Sequence, residues 1–265
     1  MSNTALITGA TSGIGQALAE EFARNGHDVI VVSRDENHVD EVASTLARKH
    51  GVTALGLAYD LTEAGAAEAL QQELEKRNIE IEILVNNAGR GQRGDFQDIP
   101  WEDHLEVIRL NIEALTKLTH LYLAIFLERG HGRVLNLGSI AGFQPGPLLS
   151  VYHATKAYVV SLSEGIAEEI KDSEVTITCL CPGPTDTEFF DRADASESRV
   201  SQNASMQQSA AEVAKNGYHA MMKGETVHIS GGMNKALTFL RRILPESTQA
   251  KFNEMLYETK DTKNE

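Results

Sequence analysis

The sequence has little of the positive charge that binding to nucleic acid requires. Its 265 residues include 24 Lys and Arg against 38 Asp and Glu, for a net charge of −14. Because phosphate binding rests on clustered lysine and arginine, we do not expect nucleic acid as the main partner. The sequence also lacks an apolar run long enough to cross a bilayer and a basic-then-apolar leader. We therefore expect a soluble, cytoplasmic protein with no integral membrane segment.

Cysteine is scarce as well. The two cysteines, Cys179 and Cys181, lie in the apolar stretch VTITCLC, and the nine histidines are scattered with no HExxH spacing. Alternate residues of a strand point to one face, so we favour buried core thiols over a redox or metal site for the cysteine pair. We expect no catalytic metal.

Internal repeats and linkers rich in Pro, Gly or Ser are missing, and one alternating pattern runs through the chain. Short apolar or β-branched runs lie at 4–8, 28–33, 53–59, 81–87, 133–139, 175–181 and 226–230. Helix-like segments lie at about 13–25, 36–50, 63–78, 101–129, 152–171 and 209–223. Continuous apolar strands separated by helices predict a parallel sheet covered on both faces, in one α/β domain over 1–265.

A glycine-rich turn follows the first predicted strand and opens a helix. Residues 8–15 read TGATSGIG. Such a turn lets the backbone approach a pyrophosphate, and the free N–H groups of the following helix attract negative charge. The spacing is GxxxGxG rather than the more common GxGxxG. By itself, this turn is weak evidence for a dinucleotide site.

A tyrosine and a lysine, Tyr152 and Lys156, lie one helical turn apart on one face. Alone, this spacing also fits a partly buried tyrosine beside a solvated lysine. A phenol has a pKa near 10, and an adjacent ammonium favours the phenolate. Lowering the pKa by ~3 units requires ~4 kcal/mol of differential stabilisation. We expect Lys156 to lower the pKa of Tyr152 in this way.

Together these motifs resemble the short-chain dehydrogenase/reductase family, over residues 4 to about 190. In chain order they are TGATSGIG at 8–15, Asp60, NNAG at 86–89, Asn111, Ser139, Tyr152, Lys156 and Pro182-Gly183. GFQPGP at 142–147 and LCPGPTDTEF at 180–189 resemble its fatty-acyl and hydroxysteroid reductase-like branch. The resemblance implies a Rossmann-type, doubly wound parallel sheet of about seven strands in the order 3-2-1-4-5-6-7. The active site would lie at the carboxyl ends of the strands.

The resemblance also implies catalytic roles. Tyr152 would be the general acid or base, and Lys156 would lower its pKa and bind the nicotinamide ribose. Ser139 would hydrogen-bond the substrate oxygen, and the side chain of Asn111 would anchor a water that links Lys156 to solvent. Taken singly, Ser139 equally fits a helix N-cap, and Asn111 equally fits a satisfied polar residue of a core-facing helix. Their joint occurrence favours the enzyme.

Further residues would contact the cofactor by the same resemblance. They are Gly9, Thr11, Ser12, Gly13, Ile14, Gly15, Ser33, Arg34, Asp60, Leu61, Asn86, Pro182, Gly183, Thr185 and Thr187, besides Tyr152 and Lys156. Asp60 also fits the N-cap of the next helix, and Asn86 and Asn87 also fit simple turn residues.

The end of the second predicted strand bears on the choice of cofactor. An NAD site usually has a carboxylate there, whereas this strand ends in Ser33-Arg34. A neutral Ser33 and a cationic Arg34 suit a 2′-phosphate, so we expect NADP(H) in preference to NAD(H). A solvated loop cation is the alternative for Arg34.

The sequence thus predicts an NADP(H)-dependent oxidoreductase that interconverts a ketone or aldehyde with an alcohol. The substrate would lie under loops 90–100 and 141–149 and a mobile lid at about 188–206. Apolar residues in these segments suggest a hydrophobic or acyl-chain carbonyl compound; they are Phe143, Leu148, Leu149 and Phe189. The alternatives are an alcohol or sugar dehydrogenase working oxidatively and a non-catalytic NADP-binding regulatory protein.

Two expectations concern assembly and the C-terminal region. The resemblance implies a homodimer or homotetramer, in which helices 101–129 and 152–171 pair across a twofold axis. Segment 233–246, MNKALTFLRRILPE, fits a helix that packs on the body or closes the pocket, with a membrane-surface helix as the alternative. The polar residues 258–265 are expected to form a frayed tail.

Overall fold

We describe the fold from a computed structural model, which covers residues 3–199, 201–203, 207–232, 234–235, 238 and 246–258. The strands are β1 Thr4–Thr8, β2 Asp28–Ser33, β3 Ala54–Ala58, β4 Ile83–Asn86, β5 Gly132–Leu137, β6 Val175–Cys181, β7 Thr185–Asp186, β8 Gln208–Ser209 and β9 Val227–Ile229. The α-helices are α1 Gly13–Arg24, α2 Glu36–His50, α3 Ala66–Lys76, α4 Trp101–Ile108, α5 Leu115–Arg129, α6 Ser150–Glu169, α7 Phe189–Arg192, α8 Ala210–Met222 and α9 Glu246–Tyr257.

Seven strands form one parallel sheet in the order β3-β2-β1-β4-β5-β6-β9. The predicted order 3-2-1-4-5-6-7 is confirmed, with β9 as the seventh strand, because β7 and β8 form a separate parallel pair. In the centre of the sheet, Ala5 pairs with Val29 on one side and Ile83 on the other. Strand order reverses beside β1, and a crevice opens there at the carboxyl ends of the strands.

Helices cover both faces of the sheet. Along β1, Ile7 belongs to the apolar cluster with Phe22 of α1, and Leu6 belongs to the cluster with Phe126 of α5. Successive side chains of a strand point to opposite faces, so a strand buried on both faces must be apolar throughout. Burying each such side chain stabilises the fold by about 1.5–3 kcal/mol. This core fixes the edge of the sheet at which the candidate site lies.

The predicted helix 101–129 is helical throughout but not uniform. A π-helical turn, Arg109–Ala114, separates α4 from α5. Such turns occur often at functional sites because they re-aim a side chain. This one carries Asn111.

The helix after β3 begins at Ala66, later than predicted. Asp60 lies in the turn before it, where its Oδ1 accepts hydrogen bonds from Thr62 N (2.9 Å) and Thr62 Oγ1 (2.7 Å). Gly65, at φ +82°, precedes the helix instead. Asp60 therefore stabilises a turn and does not cap α3.

The C-terminal region contains a helix that was not predicted, and the predictions for segment 233–246 and the tail fall mostly outside the described residues. Of segment 233–246, only 234, 235, 238 and 246 are among the described residues, and 259–265 of the expected tail lie outside them. Helix α9, Glu246–Tyr257, was not predicted from the sequence. Each helix in the described part of the chain is too short or too polar to span a bilayer.

Candidate active site

The glycine-rich turn holds the start of α1 against the end of β4. A Cβ on Gly15 would lie 2.1 Å from the carbonyl oxygen of Gly9. Gly9 itself has φ +63°, in the left-handed region that favours glycine. Asn87 Nδ2 donates to the carbonyl oxygens of Thr8 (2.9 Å) and Gly9 (3.0 Å). The turn is tight because these two glycines carry no side chain.

The two asparagines of the NNAG motif have different surroundings. Asn86 is 2% exposed and donates to Thr119 Oγ1 and Asn136 Oδ1, each at 2.9 Å. Its side chain lies between the sheet and α5, whereas Asn87 reaches the glycine-rich turn. Neighbouring residues at a strand end point to opposite sides, and the sequence alone does not say which one faces the crevice. Asn87 also lines a cavity of the site, although the sequence predicted Asn86 and not Asn87 as a cofactor contact.

Two cavities open at the carboxyl ends of the strands and meet at Gly89. The tyrosine cavity, of about 140 Å³, is lined by residues including Ile14, Ser139, Tyr152, Lys156, Pro182, Gly183, Thr185 and Thr187. The arginine cavity, of about 430 Å³, is lined by residues including Gly9, Ser33, Arg34, Asp60, Leu61, Arg90 and Glu106. Most of the predicted cofactor contacts thus line a continuous crevice.

Among the described residues, five predicted cofactor contacts line neither cavity. They are Thr11, Ser12, Gly13, Gly15 and Asn86. Thr11 supports the site indirectly, because its hydroxyl donates to Ser33 Oγ (3.0 Å). Gly13 lies against Thr187, whose Cγ2 would be 3.0 Å from an added Cβ.

Ser139 lies beside Tyr152 and has two contacts. It follows β5 and begins a short 3₁₀ turn, Ile140–Phe143, as the N-cap, accepting a hydrogen bond from Ala141 N (3.1 Å). Its side chain also lines the tyrosine cavity with Tyr152 and lowers the pKa of that phenol. The N-cap interpretation is therefore confirmed, and it is compatible with a place at the site.

Lys156 is 4% exposed and donates from Nζ to the carbonyl oxygen of Leu137 (2.7 Å). The ammonium lies 5.7 Å from the ring centroid of Tyr152. The expected juxtaposition of phenol and lysine is present, with the lysine anchored to the end of β5.

The expected effect on the tyrosine pKa is wrong for this structure. Burial raises the pKa of Tyr152 to about 12, and the nearby Ser139 side chain offsets only part of that rise. Burial also lowers the pKa of Lys156 to about 8. Removing each group from water disfavours its charged form, which is the phenolate for Tyr152 and the ammonium for Lys156. Tyr152 is a protonated phenol at neutral pH.

Asn111, 1% exposed, ties the π-helical turn to its neighbours. Its Nδ2 donates to Arg90 O (2.9 Å) and Thr155 Oγ1 (3.0 Å), and its Oδ1 accepts from Arg90 N (3.0 Å). Both amide hydrogens are therefore engaged, which leaves a lone pair of Oδ1 for any further partner. The water-anchoring role of Asn111 stays a prediction.

Arg34, with its side chain 67% exposed, lies at the arginine cavity between two carboxylates. Its Nη1 is 3.4 Å from Glu106 Oε1 and 3.9 Å from Asp60 Oδ2. Glu106 also contacts Arg90. The Arg34 cation is thus shared with carboxylates, which the sequence did not indicate because Glu106 is 72 residues away in the chain.

Apolar side chains form part of the tyrosine cavity. Leu149, Phe189 and Phe190 line it, with the ring of Phe189 at 5.1 Å from that of Tyr152. Of the four apolar residues named from the sequence, Leu149 and Phe189 are therefore in place. Phe143 packs instead against the core cluster of Val159 and its neighbours. Leu148, at φ +65°, does not line the tyrosine cavity.

The cysteine pair lies behind the site. Cys179 and Cys181 are fully buried free thiols with Sγ atoms 3.6 Å apart. A Cβ on Gly138, next to Ser139, would be 2.7 Å from Cys179 Sγ. The prediction of core thiols is confirmed.

Comparison with known proteins gives a consistent assignment. Residues 3–198 match the family model described as short chain dehydrogenase. A very-long-chain 3-oxoacyl-CoA reductase of Bos taurus is 35% identical over 182 residues, which are 67% of this chain and only 58% of that protein. A 7beta-hydroxysteroid dehydrogenase of Clostridium sardiniense is 29% identical over 230 residues, 87% of this chain and 86% of that one.

Solved structures agree in fold and differ in cofactor. A short-chain dehydrogenase from Sphingobium yanoikuyae in complex with NADPH has a TM-score of 0.79 and 33% identity, covering 92% of this chain and 97% of that one. A short-chain dehydrogenase/reductase from Burkholderia phymatum in complex with NAD has a TM-score of 0.82 and 25% identity, covering 91% and 93%.

Proposed function

We propose, since this chain belongs to the short-chain dehydrogenase family, that it is an NADP(H)-dependent oxidoreductase that reduces a hydrophobic carbonyl compound to an alcohol. One observation carries the proposal: Tyr152, Ser139 and Lys156 together line a cavity that meets a second, arginine-lined cavity at Gly89. The residues fit a dinucleotide, because the side-chain-free turn at Gly9 and Gly15 lets its backbone approach a pyrophosphate. When bound, the nicotinamide supplies or accepts the hydride.

The chain's own residues handle the proton. The Tyr152 and Ser139 hydroxyls both offer hydrogen bonds to a carbonyl oxygen in the tyrosine cavity. With a pKa of about 12, Tyr152 carries a proton at neutral pH and is ready to act as a general acid. Lys156, next to it, adds positive charge that stabilises the negative charge left on the phenol oxygen. A protonated phenol is the form that reduction of a carbonyl compound requires.

The preference for NADP(H) rests on the end of β2. Ser33 is neutral, and Arg34 offers a guanidinium that can bind a 2′-phosphate with charge-assisted hydrogen bonds. Such bonds are worth roughly 1.5–3 kcal/mol, so we expect a preference of about ten- to a hundredfold in kcat/KM.

A double substitution tests this assignment. Ser33→Asp with Arg34→Ile should turn the preference toward NAD(H), through repulsion of the phosphate as well as lost attraction. Arg48→Ile is the matched control, because Arg48 is an exposed arginine of α2 that hydrogen-bonds Ser44 O and Thr45 Oγ1 of its own helix and lines neither of the two cavities. Equal use of both cofactors by the wild type would contradict the assignment.

The substrate class rests on the apolar wall and on the relatives. Leu149 and Phe189 line the tyrosine cavity, and the relatives named above act, by their names, on 3-oxoacyl thioesters and hydroxysteroids. A screen of simple ketones, 3-oxoacyl thioesters and steroids with NADPH tests it. Turnover with apolar carbonyls and not with polar sugars supports the proposal, and tight NADPH binding without any turnover would favour a regulatory protein.

A further inference from the structure

Helix α9 buries a polar face. Gln249 and Asn253 are 7% and 1% exposed, whereas Met255 is 41% exposed. Residues four apart share one side of a helix, so Gln249, Asn253 and Tyr257 form a single stripe. Buried polar groups need hydrogen-bond partners, so the partners of this stripe indicate what the helix is positioned against.

Those partners lie on three separate elements around the tyrosine cavity. Asn253 Nδ2 donates to Pro145 O (2.7 Å) in the loop after β5. Arg93, in the loop after β4, donates from Nε to Tyr257 O (2.7 Å). The Tyr257 hydroxyl lies 3.1 Å from Nε2 of His153 in α6. Helix α9 therefore joins elements that are otherwise distant in the chain.

His153 is fixed by its neighbours. Its Nδ1 lies 2.9 Å from Gln144 O, and because a carbonyl only accepts, Nδ1 carries a hydrogen. In the neutral ring, Nε2 is then an acceptor and takes the hydrogen of the Tyr257 hydroxyl. Gly146 leaves the space for this ring, since a Cβ there would lie 2.1 Å from His153 Cδ2. His153 follows Tyr152 directly, so the position of Tyr257 is tied to that of the proposed acid.

Tyr257 also contacts the lid segment. It packs against the cluster of Phe190, Ala193 and Ala195, and with Asn253 and Leu256 it lines the tyrosine cavity. Its backbone and hydroxyl are both bonded, so the ring is held in one place as a wall.

We propose that Tyr257, held by His153, is a specificity-determining residue that limits the size of the substituents on the carbonyl carbon. This rests on the proposed function, because it assigns the substrate wall of the same site. Compact apolar ketones fit in the cavity while the His153–Tyr257 hydrogen bond holds α9 in place. Bulkier ketones require this hydrogen bond to break.

The test is Tyr257→Phe, which keeps the ring and removes only the hydroxyl. The control is Tyr158→Phe, which removes a hydroxyl bonded to Thr116 (2.9 Å) on an exposed surface. The assay is kcat/KM with NADPH for a series of ketones of rising bulk. Tyr257→Phe should raise the ratio of kcat/KM for bulky ketones to kcat/KM for compact ketones about three- to tenfold, as expected for one lost hydrogen bond. Tyr158→Phe should leave it unchanged.

Hydrogen exchange of 246–257 gives a second readout that needs no turnover. Tyr257→Phe should speed exchange there, and Tyr158→Phe should not. An unchanged ketone ratio in an active Tyr257→Phe variant overturns the specificity role. If the wild type reduces no ketone, the proposed function has failed. Unchanged hydrogen exchange in Tyr257→Phe would, separately, overturn the role of the His153–Tyr257 hydrogen bond in holding α9.

Discussion

Glu106 offers a direct way to perturb the arginine cavity. Its carboxylate lies 3.4 Å from Arg34 Nη1 and also contacts Arg90. A 2′-phosphate bound by Arg34 must therefore compete with Glu106 for the guanidinium, and it also meets like charge. Glu106→Gln removes the competing charge and keeps the size of the side chain. We expect the variant to bind NADPH more tightly than the wild type.

The exposure of the pair limits the size of the gain. The side chains of Arg34 and Glu106 are 67% and 29% exposed. Exposed ion pairs are worth about 0.2–1 kcal/mol, and relief of phosphate repulsion adds a similar amount. The sum, about 0.4–2 kcal/mol, corresponds to roughly a two- to thirtyfold decrease in Kd for NADPH. NADH has no 2′-phosphate, so its Kd should stay the same within about twofold.

Isothermal titration calorimetry of the wild type and each variant with NADPH and with NADH measures the two Kd values. Glu102→Gln is the control, because it removes the same charge from α4 at an exposed residue that lines neither described cavity. The gain should shrink in ~1 M salt, where the Debye length falls to ~3 Å. Unchanged or weaker NADPH binding by Glu106→Gln would refute the competition for Arg34.

Two further predictions concern Lys156 and the glycine-rich turn. Because burial lowers the pKa of Lys156 to about 8, this amine loses its charge as pH rises through about 8, and kcat/KM for reduction should fall there. Lys156→Arg stays charged, so the fall should be absent from its pH profile even if its overall rate is lower. Gly15→Ala should abolish NADPH binding in calorimetry, because its Cβ would lie 2.1 Å from Gly9 O, whereas Gly165→Ala, in helix α6 with no neighbour within 4 Å and no positive φ, should bind normally.

Much of the fold followed from local pattern. Apolar runs such as DVIVVS predicted strands buried on both faces, and the structure has β2 at Asp28–Ser33. The π-helical turn at Arg109–Ala114 could not be predicted in this way, because apolar periodicity runs through it. What distinguishes the turn is the bonding of Asn111 to Arg90 and Thr155, which depends on the tertiary fold.

Helix α9 was missed for a related reason. Sequence patterns locate helices by an apolar face, and this helix buries Gln249 and Asn253 while exposing Met255. Its buried face is polar because it contacts loops around a cavity, and those contacts are invisible in the sequence.

The sequence predicted which catalytic side chains lie together, but not how their surroundings change their pKa values. The spacing of Tyr152 and Lys156 correctly placed ammonium and phenol together, 5.7 Å from Nζ to the ring centroid. The direction of the tyrosine pKa was wrong because desolvation depends on what surrounds both groups. Likewise, the sequence predicted a 2′-phosphate contact for Arg34, which stays a prediction, and gave no sign that Glu106 lies 3.4 Å from this guanidinium.

The most direct test of the account is reduction of an apolar ketone by NADPH in the wild type and in Tyr152→Phe. The variant keeps the ring and loses only the hydroxyl that we propose donates the proton. Its Kd for NADPH should match that of the wild type, while kcat falls by about 10²–10⁴-fold. A Tyr152→Phe enzyme that keeps more than about a tenth of the wild-type kcat would contradict the central claim, since general acid catalysis is worth far more than that.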